Sequence, residues 1–262
     1  MRPPGALSCD DTATAVAVGV LAATLAVIGH ETIGHGLGCM GSGGHVTLLT
    51  SIWFRCSQGT PLSDAGGPLA NLLAGFAAIV LLVTYAKLQP AGRLFLFMFG
   101  ALNLCWFTAQ LAYESLTGTH DDWYWLLQSR PALWRPLGAL GGVGGYVLAT
   151  RWFSGVIRRL RGPQAHAILL AYAAAAGSAV VSGLLWQPEP LRSALEGFLT
   201  LGVAPVGLLR IARSSRAIGR EVALGPVPRS WIWICGGFAL FGAFLFIQAR
   251  GLGPMSGSVL PR

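Results

Sequence analysis

Charge is what this sequence has least of. Of its 262 residues only 11% are Asp, Glu, Lys or Arg, 53% are hydrophobic, and the mean hydropathy is +0.60. A soluble domain carries about 25% charged residues. A water-facing globular fold is therefore set aside, and one membrane domain over residues 1–262 is expected. Other signals are also missing. There is no internal repeat and no low-complexity linker, and no two of the five cysteines have zinc-finger spacing. The basic residues behind the net charge of +8 lie in short loops between apolar runs, not on one face with interleaved aromatics. That pattern argues against a nucleic-acid partner and for membrane topology. No cleavable signal is evident either. Met1-Arg2-Pro3-Pro4 leads past Asp10 and Asp11 into an apolar run too long for a signal peptide, so the run is expected to stay as a spanning helix.

Apolar runs and glycine are plentiful. The 36 glycines suit close helix packing in lipid. At about 20 residues per span, the runs predict about seven helices: 12–37, 65–85, 94–116, 137–156, 166–186, 190–209 and 231–248, the sixth interrupted by Glu196 and Pro205. Six spans is the alternative count. The expected fold is an all-α integral membrane bundle with a small β insertion after the first helix. Residues 41–63 supply that insertion, because 45–54 are rich in β-branched and aromatic side chains. With seven spans, eleven Lys and Arg fall on the side of Arg2, Lys87 and Arg210–Arg220, and six on the side of Arg55, Arg130 and Arg192. The N-terminus is thus expected to be cytoplasmic, and the bilayer is expected to be the plasma membrane. The arginines from Arg210 to Arg220 read as a basic loop touching anionic lipid. Cys39 and Cys56 flank one loop on the opposite face. A disulfide, if that face is oxidising, and two buried thiols are both compatible with this placement.

The chemistry concentrates in His30-Glu31-Thr32-Ile33-Gly34-His35, at the end of the first apolar run. Ionisable groups at membrane depth are costly and mark function by default. Two imidazoles that hold Zn²⁺ and a glutamate that takes a proton from bound water form the zinc-hydrolase pattern. The histidines stand at i and i+5 rather than i and i+4. On an ideal helix that spacing separates them by about 140° instead of about 40°. A π-bulge, eased by Gly34, is required to bring them together.

The six residues resemble the H-E-L-L-G-H helix of dipeptidyl-peptidase III, a soluble zinc peptidase with the same expansion. More broadly, residues 12–126 resemble the core of the site-2 protease family, the intramembrane zinc metalloproteases. In that family a His-Glu-His helix is followed by a β-prone loop, a Gly-Pro-x-x-Asn helix and then an aspartate. Here the counterparts are Gly66, Gly67, Pro68 and Asn71, then Asn103 and Gly118-Thr119-His120-Asp121-Asp122-Trp123 where the family has Asn-Pro…Asp-Gly. Residues 137–250 would be accessory helices.

The resemblance implies His30, His35 and Asp122 as zinc ligands, with Asp121 the alternative third ligand, and Glu31 as general base. It implies that Gly66, Gly67, Pro68 and Asn71 shape the cleft or hold the substrate, with Pro68 in the first turn of its helix. The expected activity is hydrolysis of membrane-protein or peptide substrates within or beside the bilayer, near the non-cytoplasmic face. The competing readings are an inactive protease-like scaffold and an ion transporter that uses the same polar cluster. His45 and His120 read as surface histidines, and Glu114 and Glu196 as minor candidates.

Overall fold

The computed structural model describes residues 10–85, 88–159, 165–216 and 226–258. Arg2, Lys87, Arg161, Arg220 and Arg262, five of the seventeen basic residues counted on the two sides, lie outside them. The described elements run in order: α1 (Thr12–Gly41), a hairpin of β1 (Val46–Leu49) and β2 (Phe54–Cys56), α2 (Pro61–Thr84), α3 (Pro90–Thr117), a short α4 (Tyr124–Ser129), α5 (Pro131–Arg159), α6 (Ala165–Leu184), α7 (Pro190–Ser214) and α8 (Trp231–Ala249). The architecture is a helical bundle with one small sheet.

Six of these helices, α1, α2, α3, α6, α7 and α8, are long and apolar enough to cross a bilayer. The expected fourth span falls on α5, a 29-residue helix about 43 Å long. It is not among the six: glycines crowd its middle, Arg151 interrupts its apolar stretch, and Arg135, Arg158 and Arg159 stand near its two ends. It packs along α3 instead of standing on its own hydropathy.

α1 is the centre of the bundle, with α2, α3, α6 and α8 all packed against it. Asp11 caps it by accepting from the Thr14 backbone N–H at 2.9 Å, and so satisfies one orphan donor of the first turn. Its inward side chains are small and fully buried, Ala15, Ala17, Val18 and Ala22 among them. They let neighbouring backbones approach closely.

α2 begins at Pro61, before the expected 65. Thr60 and Ser63 form a reciprocal capping box, and Pro61 takes the first helical position, which its fixed φ favours. Pro68 therefore lies inside the helix and not in its first turn, and Gly66 and Gly67 are helical as well. α7 runs through the expected interruption at Glu196 by way of a π turn at Leu199–Val203, and kinks at Pro205, which cannot donate the helical bond.

The β-prone loop is an antiparallel hairpin that pairs Val46 with Cys56 and Leu49 with Phe54. The chain after α8 returns to its outer side, where Leu49 and Leu252 exchange backbone bonds of 3.0 and 2.8 Å. Cys39 and Cys56 form a disulfide, which decides between the two arrangements that their placement allowed. It joins the end of α1 to β2, so the hairpin is fastened over one end of the bundle.

Candidate metal centre

Residues Ile28–His35 of α1 form a π-helix. Its wider turn brings the two histidines onto one face, as the i, i+5 spacing requires. The Nε2 atoms of His30 and His35 are 3.1 Å apart. Asp122, on the segment between α3 and α4, completes the group: Oδ2 is 3.1 Å from His30 Nε2 and Oδ1 is 3.3 Å from His35 Nε2. These three side chains form a cluster able to hold a metal ion. His30 and His35 are 2% and 4% exposed, so water does not screen what happens between them.

The donor chemistry suits a cation. His35 Nδ1 lies 2.7 Å from the Ser63 carbonyl. A carbonyl only accepts, so Nδ1 carries a proton, and the ring in its neutral form presents a bare lone pair at Nε2. That lone pair faces an imidazole nitrogen and a carboxylate oxygen at close range. Converging electron-rich atoms need positive charge between them, from an ion or from protons. Atoms bound tetrahedrally at 2.0–2.1 Å to one zinc are about 3.3 Å apart, which is close to the separations found here. Burial alone would raise the Asp122 carboxyl, but where protons rather than an ion fill the gap, the charge of protonated His35 and hydrogen bonds from both histidines hold it well below the ordinary carboxylate range. It is thus an anion at neutral pH.

The surroundings fix the two rings. Trp106 of α3 stacks on His30 with centroids 4.1 Å apart, and Phe54 of β2 stacks on His35 at 5.1 Å. Asn71 lies against His30. Neither its amide nor His30 Nδ1 has a hydrogen-bond partner. Ligating histidines ordinarily give their second nitrogen to such a neighbour. Gly67 packs directly on the pair: a methyl there would fall 2.6 Å from His30 Nε2 and closer still to His35 Nε2. Gly34 performs a similar service for the helices. A methyl at Gly34 would meet the Gly66 carbonyl oxygen at 2.5 Å and Gly67 Cα at 2.7 Å, so α1 and α2 touch backbone to backbone.

Glu31 is 3% exposed, and its Oε2 has no hydrogen-bond partner. His35, Asp122 and Asp121 are the charges that act on it. The neighbouring Thr32 donates its hydroxyl to Gln248 Oε1 at 2.8 Å, and Gln248 Nε2 donates to the Thr50 carbonyl at 2.8 Å. The end of α8 thereby ties the π-helix to the hairpin.

The structure brings together His30, Glu31, His35 and Asp122 as expected, and it separates Asp122 from Asp121, whose residue is exposed. Of the second group, Gly67, Pro68 and Asn71 are buried, and Gly67 and Asn71 stand against the imidazoles. Asn103 donates its amide to the Phe99 carbonyl at 2.7 Å. His120 is exposed and stacks on Tyr124, and His45 is likewise exposed. Sequence reasoning missed Ser63, Trp106, Phe54 and Gln110, the last of which donates to Asp122 Oδ2 at 2.7 Å. Of these only Ser63 carried a local signal, as the fourth residue of the Thr60 capping box. No protein-family model, curated protein or solved structure matches the chain.

Proposed function

We propose that this protein is a membrane-embedded zinc metalloprotease of the site-2 protease kind, cleaving peptide bonds of membrane-protein or peptide substrates within or beside the bilayer. One observation carries the reading: a buried π-helix sets His30 Nε2 and His35 Nε2 3.1 Å apart, with the Asp122 carboxylate against both. Two imidazoles and one carboxylate are a donor set of catalytic zinc, which leaves a fourth position open. Six described helices are fit to cross a bilayer, and α1, α2 and α3 among them carry that set or pack on it; with α5 counted as a seventh span, the charge distribution of the loops turns it toward the non-cytoplasmic face.

His30, His35 and Asp122 would hold the ion. Zinc bound there would polarise a substrate carbonyl and lower the pKa of a water toward ~7. Glu31 is next to the first ligand, buried, and free at Oε2, as a proton carrier must be. Its carboxylate takes the proton of the attacking water and passes it to the departing amide nitrogen. One water is thus added across one C–N bond, its oxygen on the carbonyl carbon and its hydrogen on nitrogen. The stacked Trp106 and Phe54 keep both rings in place and keep bulk water off them.

The test is metal content together with Glu31→Gln. The purified wild type is expected to carry about one zinc per chain, and Glu31→Gln to keep that zinc while losing cleavage of a membrane-anchored reporter. A zinc-free protein from metal-replete cells overturns the reading. Zinc with no Glu31-dependent cleavage supports a metal-stabilised scaffold instead, and ion flux in liposomes supports a transporter.

A further inference from the structure

Asp122 is the one candidate ligand that α1 does not carry. It lies on the irregular segment between α3 and α4, while His30 and His35 share a single helical segment. Sites built on loops are held less accurately than sites on helices. An aspartate placed this way needs an anchor on a rigid element to meet the two imidazoles.

α3 supplies one. Gln110 donates Nε2–H to Asp122 Oδ2 at 2.7 Å. One turn later on the same face, Glu114 accepts the Trp123 backbone N–H at Oε2, 2.8 Å away. Residues four apart on a helix are surface neighbours, so these two side chains grip the aspartate and the next peptide from the same side. Gly118 ends α3 in a left-handed conformation and returns its N–H to the Glu114 carbonyl at 2.8 Å, which turns the chain back toward them.

The choice of a neutral amide matters. A lysine or arginine at 110 would neutralise the charge that Asp122 must present to a cation, whereas an amide hydrogen orients the carboxylate and leaves its charge. The fit also has a cost: Gln110 Oε1 is buried with no partner. A lone buried amide oxygen is unfavourable, and packing alone would prefer an apolar side chain at 110. The bond to Asp122 is what the glutamine provides in return.

We propose that Gln110 is a positioning residue of the metal centre, holding the Asp122 carboxylate in ligating orientation from α3. This rests on the reading of His30, His35 and Asp122 as a metal site.

The experiment uses full-length protein in nanodiscs, stripped with a chelator and titrated with Zn²⁺ against a competing chromophoric chelator. Co²⁺ is added in parallel and its visible d–d bands recorded. Gln110→Met, close in length and apolar, is expected to weaken Zn²⁺ binding by 10- to 100-fold, the usual effect of losing an outer partner of a ligand. Its Co²⁺ bands are expected to shift, and its metal-free melting midpoint to match or exceed wild type. A packing residue would show the reverse: a lower metal-free midpoint with unchanged Co²⁺ bands. Gln110→Asn keeps the amide but withdraws it by one methylene, and is expected to weaken binding as well. In the Asp122→Asn background, Gln110→Met is expected to cost nothing further. Binding within threefold of wild type in both Gln110 variants, with wild-type Co²⁺ bands, overturns the proposal and leaves the metal centre standing. A wild type that takes up neither ion overturns the metal centre and the proposal with it.

Discussion

His30 and His35 are five residues apart in the chain and 3.1 Å apart at Nε2. An ideal α-helix would place them about 140° from each other. The eight-residue π segment Ile28–His35 removes that difference, and the backbone contact between Gly34 and Gly66–Gly67 holds the segment against α2.

The contact predicts a large effect for a small change. Gly34→Ala would put a methyl 2.5 Å from the Gly66 oxygen, and two backbones cannot yield as a flexible side chain does. The expected cost is about 1–3 kcal/mol from overpacking, together with weaker zinc binding as the helices separate. Gly177→Ala in α6 is the control, because a methyl there meets nothing. It is expected to stabilise by roughly 0.5–1 kcal/mol through helix propensity. Thermal melts of both variants, with and without zinc, check the pair.

Gly67→Ala should separate metal binding from folding. The added methyl would enter the space between the two imidazole Nε2 atoms, 2.6 Å from that of His30. Zinc content is expected to fall below a tenth of wild type, while the far end of the bundle stays folded. Elemental analysis beside a helicity measurement by circular dichroism would show it. Full zinc occupancy in this variant would contradict the geometry.

The two neighbouring aspartates should behave differently. Asp122 touches both histidines, whereas Asp121 is exposed. Asp122→Asn is expected to lower zinc affinity at least 100-fold, on the order of 3 kcal/mol. Asp121→Asn is expected to stay within about threefold. Chelator competition measures both, and the reverse order would reassign the third ligand.

The disulfide Cys39–Cys56 spans 17 residues of sequence. Closing a loop of about that length is worth roughly 3 kcal/mol. The double variant Cys39→Ser, Cys56→Ser is expected to lose stability of that order. The loss should be greatest around β2, where Phe54 stacks on His35. Hydrogen exchange over residues 44–58 provides the measurement, and unchanged protection there would contradict the prediction.

Orientation gives a separate expectation. With α5 crossing as a seventh span, reporter fusions after Gln58 are expected on the non-cytoplasmic side and fusions after Arg161 on the cytoplasmic side, following the charge bias of the loops. A cytoplasmic Gln58 would reverse the map.

Much of the site and its setting is legible in the chain. His30, Glu31 and His35 stand out because charge in an apolar run is rare and costly. Their i, i+5 spacing by itself demands a local widening of the helix. The hairpin follows from β-branched and aromatic residues between Cys39 and Cys56. The early start of α2 is also written locally, in Thr60, Pro61 and Ser63, whose capping chemistry outweighs the helix-weakening glycines at Gly66 and Gly67. The roles of Gln110, Trp106 and Phe54 are not legible. Each meets its partner across 12 to 76 residues of chain, and nothing local in their spacing marks them.

The sequence by itself determined that the chain is apolar, that a His-Glu-His cluster lies in its first long run, and that the cluster converges only on a distorted helix. Backbone spacing and side-chain polarity act over one or two turns, and they suffice for those statements. Only the tertiary structure decided that Asp122 rather than Asp121 faces the histidines, that Cys39 meets Cys56, and that Gly67 and Asn71 stand behind the imidazoles. Those outcomes depend on how far each helix is rotated and how closely it approaches its neighbour. At Gly34 and Gly66 that approach is set by the absence of side chains, which puts α2 in direct contact with the π-helix.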